Sequence, residues 1–292
     1  MSAPTDAQIV FATYVRHPDL TADDRLLAAA LERRRVSVRA APWDAQTDWR
    51  GAAVIVRSTW DYHLRRAEFL DWTNHVAART ALYNAPAVIR WNSHKGYLAE
   101  LAARGISVID TAFAAAGERV DLAAVASAHR WDDVVIKPAV SASAYETRRF
   151  PADERPAAQS HLDRLLATGD AMMQPHLSAL GERGELSVMF AGGRFTHAVR
   201  RRSALVDEGA MPMSAPADAA ADAVLFGERV LALVPEATAT DAPPLYARVD
   251  LAEDDDGDLQ LLELELIEPS LFFAHAPRAA ERMAEAIIDV LP

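Results

Sequence analysis

Cysteine is absent from all 292 residues, which excludes disulfides, thiolate metal sites, iron–sulfur clusters and a cysteine nucleophile. No run of about 18 consecutive apolar residues occurs, so no membrane span is expected. Basic charge is also short. Thirty Lys and Arg stand against 42 Asp and Glu, a formal net charge of −12, and a nucleic-acid partner is not expected. The opening MSAPTDAQIVFATYV has no basic segment followed by an apolar core, so no signal peptide is expected. What remains is a chain of two- or three-domain length, 51% hydrophobic, with enough apolar residues for a sizeable core. These features lead to the expectation of a soluble, cytoplasmic protein.

Strand and helix signals alternate through the first ninety residues. The patterning predicts strands at 8–12, 36–40 and 52–56, helices at 22–34 and 67–80, and a short strand from 82. That rhythm predicts a small open parallel sheet with ligands at its C-terminal strand ends. Two such ends are polar, 13–16 and Arg57-Ser58-Thr59-Trp60-Asp61-Tyr62. Arg57 suits a carboxylate, and Trp60 and Tyr62 supply flat apolar walls; local stacking of the Arg and Trp is the alternative. Further on, the pattern predicts a helix at 92–105 carrying Lys95 and a strand at 134–137 ending in Lys137-Pro138. Its hairpin partner is expected at 147–150, a helix at 157–167, and strands at 171–174, 186–190 and 194–201. Residues 207–222 read as a loop, 223–234 as a helix and 277–291 as a closing helix.

The segment 245–273, LYARVDLAEDDDGDLQLLELELIEPSLFF, carries the most chemistry. It reads as two strands joined by an acidic tip. Side chains alternate across a strand, so Arg248 and Asp250 share a face, as do Glu263 and Glu265, with Leu262, Leu264 and Leu266 opposite. Three carboxylates in a partly dry site repel unless a cation joins them. Mg²⁺ on carboxylates usually implies nucleotide phosphates. A solvated acidic hairpin face is the alternative.

The order of these segments resembles the ATP-grasp superfamily over nearly the whole chain: a small α/β domain, a lysine helix, a strand ending in Lys-Pro, a hinge and an acidic hairpin. STWDY and ELELIEPSLFF are most similar to the ATP-grasp cyclo-ligases of D-cycloserine biosynthesis and their relatives. The resemblance implies an α/β (α+β) ATP-grasp fold. It has an N-terminal parallel α/β domain (1–90), a central lysine-bearing domain (91–175) and a C-terminal antiparallel-sheet domain (176–292). It implies that Lys95 and Lys137 hold ATP phosphates, with Ser141 and Ser143 in the flap 139–145. That flap lacks the family's glycines, and left-handed backbone there is strained without them. Gln174, Pro175, His176 and Leu177 correspond to the adenine hinge, and Glu182 or Glu185 to the ribose acid. Asp250, Glu263 and Glu265 correspond to ligands of Mg²⁺, two ions being expected, although many relatives have Asn where Glu265 stands. Arg248 and Lys137 are the catalytic candidates. Arg57 to Tyr62, Arg200, Arg202 and Glu268 are the substrate candidates.

The resemblance implies activation of a carboxylate as an acylphosphate, then attack by a nitrogen, either within one molecule such as O-ureidoserine or between two. The flap and the 207–222 loop are candidate lids. An intermolecular amino-acid ligase, a small-molecule kinase and a non-catalytic nucleotide-binding regulator stay open. The expected partner is a small amino-acid-like molecule, with no membrane or nucleic acid, and a homodimer is left open.

Overall fold

Short apolar strands flanked by amphipathic helices bury their faces in three sheets. The computed structural model describes residues 8–49, 53–202, 214–254 and 256–291. β1 (Gln8–Thr13), α1 (Ala22–Glu32), β2 (Ser37–Pro42), β3 (Ala53–Val56), α2 (Arg66–Ala77) and β4 (Leu82–Tyr83) come first. Their strands form the expected parallel sheet, in the order β2-β1-β3-β4. β3, all apolar, is buried along its whole length, as a strand covered on both faces must be. Thr21 caps α1 by accepting the Asp24 amide at 3.0 Å.

α3 (Pro86–Asn92), α4 (Tyr97–Ala103), β5 (Ala112–Ala114), α5 (Leu122–His129), β6 (Val134–Pro138), β7 (Arg148–Phe150), α6 (Arg155–Leu166) and β8 (Ala171–Pro175) follow. The second sheet, antiparallel, runs β5-β8-β6-β7. The expected single helix over 92–105 is two helices, and Lys95 stands in the turn between them. His94 Nδ1 accepts the Gly96 amide there, and the Lys95 amide donates to Ala139 O at 2.7 Å. These bonds end the helix and tie the turn to the start of the flap.

α7 (Ser178–Arg183), β9 (Glu185–Ala191), β10 (Arg194–Arg201), β11 (Ser214–Ala217), α8 (Ala221–Thr238), β12 (Tyr246–Glu253), β13 (Leu259–Glu265) and α9 (Pro277–Val290) complete the chain. The third sheet runs β11-β10-β9-β12-β13. Part of the expected 207–222 loop is therefore strand, because Ser214 to Ala217 pair with β10; residues 207–213 lie outside the described residues. Among the described residues no helix is long and apolar enough to cross a membrane.

β13 is an edge strand, and its outer edge is occupied by side chains and, at Leu261, by a single backbone bridge to Val108. Asn92 gives Nδ2–H to Leu264 O and accepts Leu266 N–H, both at 2.8 Å. Tyr97 Oη accepts the Leu264 amide at 3.0 Å. Asn84 Nδ2 donates to Leu266 O, and Ser107 O accepts the Leu261 amide. This lattice presses the Lys95 turn against the hairpin.

Candidate active site

Register decides what the hairpin presents. Asp250 lies directly opposite Glu263, and Arg248 opposite Glu265, so one guanidinium and three carboxylates share a face as expected. A bulge after Asp250 pairs Leu251 with Leu261. Leu261, Leu264 and Leu266 accordingly fill the core, whereas Leu262 packs in a small cluster with Ile109, Leu180 and Ala252. The expected Leu262 face is corrected by that one extra residue.

The face is dense with charge. Arg248 Nε and Nη2 each donate to Asp250 at 2.9 Å, its Nη1 donates to Ser270 O at 3.2 Å, and Glu265 accepts from Nη2. Lys95 Nζ donates to Glu263 Oε1 at 2.6 Å and to Ser141 O at 3.2 Å. Lys137 is 8% exposed, with no hydrogen-bond or ion-pair partner among the described residues. Burial lowers it, opposed by Glu263 and aided by Lys95. An unpartnered buried ammonium is costly, and an anion nearby would remove that cost.

Arg201 was missed. Alternation on β10 allowed either face, and Arg200 and Arg202 were expected inward. The pairing of Arg201 with Glu185 on β9 settles it: Arg201 Nη2 donates to Glu185 at 2.7 Å and Asp250 Oδ2 at 2.9 Å, and its Nε to Ser187 Oγ at 2.8 Å. Arg200 instead donates to Arg183 O at 3.1 Å, and Arg202 is exposed. Gly184 makes the close approach feasible. Its φ of 70° and ψ of −171° are reached by glycine alone, and a Cβ there would meet Arg201 O at 2.2 Å. Phe272, also missed, floors both guanidiniums. Its ring centre lies 5.8 Å from Arg201 and 5.8 Å from Arg248, held by a left-handed backbone with φ 53°.

Five carboxyls (Glu185, Asp250, Glu263, Glu265 and Glu268) thus meet four cations (Lys95, Lys137, Arg201 and Arg248). Burial, opposed by Arg248 and reinforced by Glu263 and Asp250, lifts Glu265 to about 7. Burial together with Glu265 lifts Glu268 well above the carboxylate range. Asp250 is held down at about 2, its burial outweighed by Arg201, Arg248 and the Ser187 hydroxyl. No group of three or more His, Asp or Glu converges on a common metal point among the described residues, because each hairpin carboxylate is turned to a cation. The oxygen-only donors and the raised Glu265 fit a further hard cation. Mg²⁺ typically takes one or two carboxylates and completes its shell with phosphate and water.

The loop after β3 forms one rim. Arg57 is 2% exposed and donates to Asp24 Oδ1 at 2.7 Å and Pro269 O at 3.1 Å. Its Nη1, Ser58 Oγ, Thr59 Oγ1 and both His63 ring nitrogens are buried without partners, as expected of a wall that awaits a ligand. Trp60 Nε1 reaches Glu268 O at 3.3 Å. Tyr62 is buried in the core, its hydroxyl pushed well up by burial and by Glu268. Asp61 departs from the expectation: it accepts from Trp43 Nε1 at 2.9 Å and Arg65 at 2.8 Å, a structural role.

Opposite, Ser141 is buried beside Lys95, while Ser143 is exposed with φ 51°. Gln174 is buried and bonds Thr111 at 2.9 Å, and the His176 amide donates to Asp133 O at 3.0 Å. That amide is committed within the fold, which removes it from any hinge contact. Pro175 pairs with Val134, and Leu177 leads into α7. Glu185 sits inside the charged face; the Glu182 side chain lies outside the described residues.

A family description of the N-terminal domain of D-cycloserine synthetase DcsG matches residues 9–84. The cycloserine biosynthesis protein DcsG of Streptomyces lavendulae is 32% identical over 259 residues, covering 85% of this chain and 86% of the relative. The chain belongs to the DcsG family of ATP-grasp ligases. The crystal structure of D-cycloserine synthetase DcsG superposes with a TM-score of 0.91 at 30% identity, covering 98% of this chain and all of that one. The ATP-grasp ligase PsnB (TM-score 0.65, 19% identity) and the D-alanine–D-alanine ligase of Bacillus anthracis (0.67, 10%) share the fold. As a DcsG-family member the chain is an enzyme, an ATP-dependent ligase, with the ATP-grasp fold read from the sequence.

Proposed function

We propose that this ligase activates the carboxylate of O-ureidoserine as an acylphosphate, whose phosphate is displaced by the oxygen-bound nitrogen of the same molecule to close the ring. Hydrolysis then removes the carbamoyl group from that nitrogen as carbamate, which breaks down to ammonia and carbon dioxide and leaves cycloserine. The observation that carries the reading is the meeting of Lys95, Lys137 and Arg248 on the Asp250–Glu263–Glu265 face, within a chain so similar to DcsG. Lys95 and Lys137 neutralise the phosphates of ATP, which supplies the phosphoryl group. Asp250, Glu263 and Glu265 would hold two Mg²⁺ ions, which would offset the negative charge of the phosphates during transfer. Arg248, steadied by Arg201, stabilises the charge that develops during transfer and then the oxyanion formed on attack. Arg57, Ser58, Thr59 and Trp60 shape the substrate side, beside Glu268. The flap 139–145 keeps water from the acylphosphate. Holding both reacting groups in one small pocket supplies the effective molarity that ring closure needs. We read residues 1–90, 91–175 and 176–292 as its three domains.

The test is Mg²⁺-dependent release of ADP and phosphate with each enantiomer of O-ureidoserine, the products identified by mass spectrometry. Cycloserine from O-ureidoserine alone is the expected result. Turnover only with a second amine present would replace this reading with an intermolecular ligase.

A further inference from the structure

A cavity of about 210 Å³ lies at the N-terminus of α1, with Thr21, Asp23, Asp24, Arg57, Trp60 and Ser270 in its wall. That is the space of about seven waters at about 30 Å³ each, enough for most of a small amino acid and too little for a nucleotide. The cavity adjoins the charged face, because Ser270 O accepts Arg248 Nη1 at 3.2 Å.

Polar groups of opposite character stand unpaired in its wall. Arg57 Nη1 has no partner, although Nε and Nη2 are bonded. Asp23 Oδ2 is likewise buried and unpaired, while Oδ1 accepts the Ala274 amide at 3.3 Å. The first turn of α1 adds donors. Thr21 Oγ1 takes the Asp24 amide and Thr21 O the Arg25 amide, which leaves the Ala22 and Asp23 amides without partners among the described residues. Arg57 Nη1 and Asp23 Oδ2, buried and unpaired, are expensive unless a ligand completes them. Asp24 and Arg57 neutralise each other at 2.7 Å, so the net charge left at the wall is that of Asp23, eased only in part by Arg57 and the Ala274 and Phe273 amides.

We propose that Asp23 is a specificity residue of the substrate pocket and receives the ammonium group of an α-amino acid, while Arg57 Nη1 and the first amides of α1 take an oxygen of the same molecule. This rests on the ligase reading above and assigns a residue to the recognition of its substrate's free amino group. Burial, opposed by Arg57, already raises Asp23 above the usual carboxylate range, and a bound ammonium removes that penalty. A carboxylate lacking the amine leaves Asp23 buried and unpaired, the arrangement that discriminates most strongly between close analogues.

The test compares the full-length wild type with Asp23→Asn on O-ureidoserine and on its deamino analogue, 3-(ureidooxy)propanoate. Asp23→Asn should raise KM for O-ureidoserine about 10- to 100-fold, the loss of one charge-assisted contact, and leave KM for the deamino compound nearly unchanged. An unaltered KM for ATP shows that the variant is folded, and Asp23→Glu should recover part of the loss. Equal losses on both compounds, or none, overturn the proposal. If the wild type turns over neither, the cyclisation reading fails, and the pocket is read from binding alone. Serine-sized amino acids that raise the melting temperature of the wild type but not of Asp23→Asn sustain it. Equal shifts in both proteins, or no shift in either, sink it.

Discussion

Arg248 and Arg201 form a pair because both hold the Asp250 carboxylate. Arg248 is fixed by three acceptors, whereas Arg201 bridges Glu185, Ser187 and Asp250 at the end of its strand. The Phe272 ring underlies both. A bulky residue with φ 53° is an outlier, and such strain persists where surrounding structure imposes it. Each guanidinium–ring contact is worth about 0.5–1 kcal/mol. Phe272→Leu should therefore lower kcat about 5- to 30-fold, with KM for ATP little changed, and Phe272→Tyr should restore most of it. Steady-state ADP release checks both. Equal activity of the Leu and Tyr variants would show that the aromatic face contributes nothing. Substitution of Arg248 itself is a blunter probe, since a missing guanidinium leaves Asp250 and Glu265 buried without their cation.

At the scale of elements, the flap shows both the reach and the limit of reading the chain. Its glycine-free composition predicts strain, and the backbone bears this out with φ of 51° at Ser143 and 55° at Ala144, followed by 54° at Glu146 just beyond it. Each left-handed non-glycine residue costs about 1–2 kcal/mol, and glycine returns that at an entropy cost of about 0.5–1 kcal/mol. Ala144→Gly should accordingly leave stability unchanged or raise it by up to about 1.5 kcal/mol, while the looser flap raises KM for ATP. Urea unfolding at constant m-value decides the first part; a loss of about 1 kcal/mol would mean that Ala144 is not left-handed in solution. The βαβ rhythm and the Arg248, Asp250, Glu263, Glu265 face were legible because periods of two and 3.6 residues are local. The Lys95 turn, Arg201 and the structural role of Asp61 were not. Gly96 and a long-range bond to Ala139 break the helix, pairing with Glu185 selects the face of β10, and Trp43 with Arg65 claims Asp61 from other parts of the chain.

Across the whole molecule, buried histidines and buried carboxyls oppose one another. His63, His161, His176 and His197 are all lowered, first by burial, His197 to about 4. Such groups stabilise the fold above their ordinary value near 6.5, and that stability is lost as pH falls toward the depressed one. Asp23, Glu185, Glu265 and Glu268 are raised, again first by burial, Glu265 to about 7. A raised acid keeps its proton in the fold where the unfolded chain has lost it, so stability falls as pH rises from the ordinary carboxylate range to the raised value. Asp250, at about 2, matters only below about 3.8. Between about pH 4.5 and 6.5 the two sets therefore act in opposite directions, and the free enzyme should show a nearly flat melting temperature. Mg²⁺ with a non-hydrolysable ATP analogue changes that balance. Carboxylates that bind a cation must be ionised, so binding releases protons and tightens as pH rises. The ligand-induced rise in melting temperature should consequently grow from pH 5 to pH 7.5, and in the complex, where Glu265 no longer offsets them, the histidines should set a steeper acid-side fall below 6.5 than in the free enzyme. Thermal unfolding with and without Mg²⁺ and the analogue across that range measures both. A ligand shift independent of pH would show that Glu265 keeps its proton on binding and is not a metal ligand, while a steep acid-side fall in the free enzyme would show that the raised carboxyls do not offset the histidines.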